Sequence, residues 1–136
     1  MQHDRYAPDD PREWLNRARS NLAKAQGGAD LGDVYLEDLC FDAQQAAEKA
    51  MKAVLIYLGV RFPTVHDLAR LLTLVAGAGL AIPENVRLAV ALTVFAVQSR
   101  YPGPGEPVSL EEYQEAVAMA GTVVEWAQRV VLEKSG

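Results

Sequence analysis

Cysteine and histidine are scarce in this chain: one of the first and two of the second in 136 residues. With Cys40 alone, an internal disulfide and a thiolate metal cluster are both excluded, and a reducing, cytoplasmic compartment is the expectation. His3 and His66 are far apart in the chain, so no multi-histidine metal site and no cofactor are expected. An excess of basic residues is also lacking. The net charge is −5 and the pI about 5.0, which argues against broad, nonspecific nucleic-acid binding and leaves room only for a local basic site. The charge-free stretch Leu88–Ser99 is too short to cross a bilayer as a helix. The polar segment Met1–Asp10 lacks the apolar heart of a signal peptide. No membrane association is expected. Nor is there a glycine-rich phosphate loop or a nucleophile elbow.

What is present is helical patterning. The length suits one domain spanning 1–136, with residues 1–10 expected as a frayed tail. Asp10 as N-cap, Pro11 at the first helical position and Glu13 in capping-box register open a helix over Pro11–Gln26, with Trp14, Leu15, Ala18, Leu22 and Ala25 as its apolar stripe. A second helix is expected over Asp33–Leu58. Leu36, Leu39, Cys40, Ala43, Ala46, Ala47, Ala50, Val54 and Leu58 share one broad face, and Glu37, Asp38, Asp42, Gln45, Glu48, Lys49 and Lys52 share the other. Its alanines let a neighbouring helix approach closely. A loop over Val60–Pro63 precedes a third helix expected from Thr64 or Val65, which Gly77 and Gly79 close. A fourth begins at Pro83. Its segment Val86–Val97 is apolar nearly all round and so has to be covered on most sides, as a central helix or a dimer interface. The Pro- and Gly-rich run Tyr101–Pro107 breaks the chain, and Ser109 with Glu112 opens a last helix over Leu110–Leu132. Short connections make this an all-α, up-and-down antiparallel bundle of four to five helices.

Three groups of residues could carry chemistry. Asp42, Gln45, Glu48, Lys49 and Lys52 form either a solvated face with a Glu48–Lys52 pair or a polar groove that meets a ligand. His66, beside Asp67 at the start of the third helix, is either a capping side chain or a general base that the helix dipole keeps neutral. Arg100 and Tyr101 either finish an apolar helix or present a bidentate phosphate binder and a stacking ring on a stiff loop.

The run Phe41-Asp42-Ala43-Gln44-Gln45-Ala46-Ala47-Glu48-Lys49-Ala50-Met51-Lys52-Ala53, followed by Leu58-Gly59, by His66-Asp67-Leu68 and by Ser99-Arg100-Tyr101-Pro102-Gly103, resembles HEPN domains in order and spacing. The resemblance implies a helical bundle, commonly a homodimer, that works on RNA or nucleotides, often beside a small nucleotidyltransferase partner in a toxin-antitoxin pair. Many members are metal-independent ribonucleases whose active site is an arginine followed a few residues later by a histidine. No histidine follows Arg100, and the Arg61–His66 spacing falls in a loop containing Pro63. What the resemblance implies is therefore a noncatalytic nucleotide-, RNA- or partner-binding module, with an endoribonuclease using His66 and Arg100, or a purely structural dimerisation domain, as alternatives.

Overall fold

In a computed structural model, residues 4–98 and 107–133 are described, and within them every regular element is helical. Helix α1 (Pro11–Gly27) starts where Asp10 accepts a hydrogen bond from the Arg12 amide. Glu13 does not complete the capping box. Its carboxylate takes the Tyr6 amide at 3.0 Å and the Arg17 guanidinium at 2.9 Å instead, because the chain ahead of the helix folds back onto it. Residues 4–10, expected as a frayed tail, are held there by further bonds: the Trp14 indole N–H donates to the Pro8 carbonyl and Asn16 to the Asp4 carbonyl. The Arg12 guanidinium covers the Tyr6 ring.

A 3₁₀ turn (Gly28–Leu31) leads to α2 (Leu36–Tyr57), which begins later than the expected Asp33. Gly32 and Asp33 both take positive φ, 71° and 55°, and close the turn before the helix can start. Helix α2 is the central element. It packs against α1, α3 (Leu68–Gly77), α5 (Phe95–Gln98) and α6 (Leu110–Gln128), and Cys40, Ala43, Ala46, Ala47, Ala50, Met51, Ala53, Val54 and Leu55 along it are fully buried. Methyl-sized side chains over so much of its surface set the spacing of the neighbours, since larger ones would push the backbones apart.

The expected third helix starts at Leu68, not at Thr64 or Val65, because Asp67 is its N-cap and accepts the Ala69 amide. The expected fourth helix is present but not uniform. An α turn α4 (Glu84–Arg87) passes into a 3₁₀ stretch (Leu88–Val94) and then into α5. It is not the central helix either. Val86, Ala89, Leu92 and Ala96 are buried, while Leu88 is 60% and Val94 44% exposed. Ser109 and Glu112 form the reciprocal capping box expected for α6, and the Tyr113 hydroxyl ties α6 to the Ala25 carbonyl at the end of α1. Its last turn widens into a π-helical end, Arg129–Glu133. The all-α bundle expected from the sequence is thus the observed architecture.

Because Ala47 is fully buried in the most crowded helix, Ala47→Leu is expected to lower unfolding stability by about 1–3 kcal/mol through overpacking. Ala47→Ser should cost less, and paired urea melts would separate the two.

Candidate functional site

Residues 44–52 of α2 build a polar layer that the solvated-face interpretation does not describe. Gln44, Glu48 and Lys52 are 0%, 3% and 6% exposed. They are covered because α1 and the 58–67 loop cross this face, with Trp14 and Phe62 meeting edge to face at 6.2 Å beside Lys52. The Glu48 carboxylate is the hub. One oxygen accepts from His66 Nδ1 at 2.8 Å and from Gln44 Nε2 at 3.1 Å, and the other from Lys52 Nζ at 2.9 Å. Gln44 also donates to the His66 backbone carbonyl, and Gln45 donates to the Gln44 side chain. Burial by itself raises the pKa of Glu48, but the hydrogen bonds from Lys52, His66 and Gln44 outweigh it, and the net shift is downward. Lys52 Nζ lies 5.6 Å from the Phe62 ring centroid and 6.0 Å from that of Trp14, within cation–π range.

His66 sits one residue ahead of the α3 N-cap, where the sequence placed it. Its ring is about half exposed, with Nδ1 turned inward to the carboxylate, so Nε2 is the nitrogen on the open side. An imidazole oriented by a carboxylate is a general acid–base arrangement.

The second cluster joins α2 to α1. Asn21 accepts from Lys49 Nζ at 2.7 Å and donates to Asp42 at 3.0 Å, and Lys24 pairs with Asp42 at 3.2 Å. Burial lowers the pKa of Lys49, with Lys24 and Arg17 pushing the same way against Glu48 and Asp42. The structure thus places Gln45, Lys52 and His66 in the cluster around Gln44 and Glu48, and Asp42 and Lys49 in the cluster around Asn21. Arg100 and Tyr101 lie outside the described residues. Glu13, Arg17, Asn21 and Lys24 were missed. They recur along α1 at helical spacing, and the signal was there: a polar stripe on a helix whose apolar stripe is narrow. Among the described residues no group of three metal-ligating side chains occurs, and no helix is long and apolar enough to cross a membrane.

With the lowered pKa of Glu48, its contribution to stability is complete above the ordinary carboxylate value of 4.5 and is lost as pH falls through the lower folded value. Glu48→Gln is expected to cost about 3–5 kcal/mol near neutral pH, because Lys52 loses its buried partner. In urea melts across the acid range, the gap between wild type and Glu48→Gln should close below pH 4.5.

The profile of the HEPN domain family matches residues 11–130. The crystal structure of an archaeal HEPN homologue superposes with a TM-score of 0.73 at 25% identity, covering 90% of this chain and 98% of that one. Curated protein sequences return no significant match.

Proposed function

The chain belongs to the HEPN domain family, and on that premise we propose that it is a noncatalytic module that binds a nucleotide or RNA and works as one half of a two-component system with a small nucleotidyltransferase. The observation that carries this reading is the polar seam between α1 and α2. In a chain of net charge −5, Arg17, Lys24 and Lys49 lie near one another across this seam, Arg17 paired with Glu13, Lys24 with Asp42, and Lys49 bonded to the neutral Asn21 amide. Local basic clusters of this kind supply the contacts to phosphate that an acidic surface elsewhere cannot. The sequence adds Arg100 and Tyr101 as candidate ligands, the guanidinium for phosphate and the ring for a base. The exposed side chains of Leu88 and Val94 favour a homodimer through the fourth helical segment.

One observation favours a second reading, a metal-independent endoribonuclease. His66 is held at Nδ1 by a buried carboxylate and is open at Nε2, the disposition of a general base, and Arg100 would stabilise the charge building on phosphate.

Labelled single-stranded RNA, titrated at low salt with wild type, Arg100→Ala and His66→Ala in the presence of chelator, decides between them. Binding without cleavage, weakened by Arg100→Ala, is the expected result. Chelator-resistant cleavage lost in both variants would establish the enzyme instead, and absence of both binding and cleavage would remove the nucleotide reading. In light scattering, Leu88→Glu is expected to halve the mass of the wild-type particle, and a wild-type monomer would overturn the dimer.

A further inference from the structure

The acidic side chains of this protein are concentrated at one end of the bundle. The end of α1 and the starts of α2 and α6 meet there: the Tyr113 hydroxyl bonds to the Ala25 and Gln26 carbonyls, and the Val108 amide donates to the Glu37 carboxylate at 2.9 Å. Asp30, Asp33, Glu37, Asp38, Glu111 and Glu112 stand on the segments 28–38 and 108–112, which hold no lysine, arginine or histidine. These acids outnumber the net charge of −5 carried by the whole chain. Among the described residues none of them forms a salt bridge. Lys24, the cation in the last turn of α1, is turned to Asp42 at 3.2 Å. Burial pushes the Cys40 thiol up to about 11, and Glu37 from α2 and Glu112 from α6 act in the same direction, so the acids of two helices share one neighbourhood.

Large apolar side chains are exposed at the same end. Leu31 is 77%, Tyr35 75% and Leu110 59% exposed. Leu31 and Tyr35 flank the positive-φ pair Gly32 and Asp33, and Leu110 opens α6. The turn that carries Leu31 sits directly on α2, since a Cβ at Gly28 would lie 2.3 Å from Leu39 Cδ2, and a surface seated in this way is preorganised for a partner. Helix chemistry explains part of the pattern. Acids in a first turn suit the helix dipole, which accounts for Glu37, Asp38, Glu111 and Glu112. It accounts neither for Asp30 and Asp33 nor for three large apolar side chains left in water. Apolar side chains set among charges of one sign make a docking face, where burial supplies affinity and the charges select the partner. The sign decides which partner. Nucleic acids and anionic lipids are repelled, and a second copy seated by two-fold symmetry would set these acids against themselves. A cationic protein surface is the one that fits.

We propose that this end of the bundle docks a protein segment that carries lysines or arginines alongside large apolar side chains, with Leu31, Tyr35 and Leu110 receiving the apolar groups and the surrounding carboxylates facing the cations. The face shares no residue with the polar seam between α1 and α2 or with the exposed Leu88 and Val94, and the inference stands independently of the nucleotide reading above.

The probe is a short labelled amphipathic peptide of leucine and lysine at helical spacing, titrated with the full chain and read by anisotropy and by the amide chemical shifts of isotope-labelled protein. One control peptide has serine in place of leucine, and another has glutamate in place of lysine. The leucine–lysine peptide is expected to bind, with shifts concentrated in residues 28–38 and 108–113, and added salt is expected to weaken it. The double variant Leu31→Ser/Tyr35→Ser is expected to lose affinity on the order of tenfold. Asp30→Lys combined with Asp38→Lys is expected to lose as much and to flatten the salt dependence. All four side chains are exposed, and circular dichroism melts show that each variant is folded. No binding of the leucine–lysine peptide, equally tight binding of either control, shifts centred elsewhere, or unchanged affinity in both variants would each overturn the docking face. If Leu31→Ser/Tyr35→Ser halves the mass of a wild-type dimer in light scattering, the occupant is a second copy and the cationic partner is overturned.

Discussion

A carboxylate buried inside a helical bundle has to be met on every side, and in this protein Glu48 sets that condition. Its partners come from three directions: Lys52 and Gln44 from neighbouring turns of α2, and His66 from the loop before α3. Removing water from such a charge is costly unless the hydrogen bonds replacing it are complete. Completing them fixes where the 58–67 loop crosses α2, and that crossing brings Phe62 against Trp14 and Lys52. Where α3 begins follows too, since His66 is held one residue before the cap at Asp67.

Much of the architecture was legible because it depends on local chemistry and periodicity. The capping box of Ser109 and Glu112 is made as written, and the alanine-rich stripe of α2 is the buried centre of the bundle. Errors arose where a distant segment decided the outcome. Glu48 and Lys52 look like a surface pair in a helical wheel, and only the arrival of Trp14 and Phe62 from elsewhere in the chain buries them. Glu13 has the register of a capping-box partner, yet the preceding segment folds back and claims its carboxylate. The Leu88–Val94 stretch reads as a plain apolar helix, and the chain takes the tighter 3₁₀ form there.

The candidate site divides in the same way. Asp42, Gln45, Lys49 and His66 were visible on their own segments. Asn21, which joins Asp42 to Lys49, belongs to a different helix, and nothing in either helix alone announces the partnership. Family membership fixes the bundle but assigns no task to these side chains, because a fold carries many functions and the chemistry lies in what is grafted onto it.

The first amide of α3 is also held from outside its own helix. The Leu68 N–H donates to the Thr93 hydroxyl at 3.1 Å, and Thr93 belongs to the 3₁₀ stretch that leads toward Arg100. Two residues before Leu68 stands His66, anchored on Glu48. The two segments are therefore mechanically joined. A shift of the 88–94 stretch would move the acceptor of the Leu68 amide, two residues along the chain from the imidazole. Occupancy at either segment is thermodynamically linked to the other whenever the two arrangements of this contact differ in affinity, and that linkage acts equally in both directions.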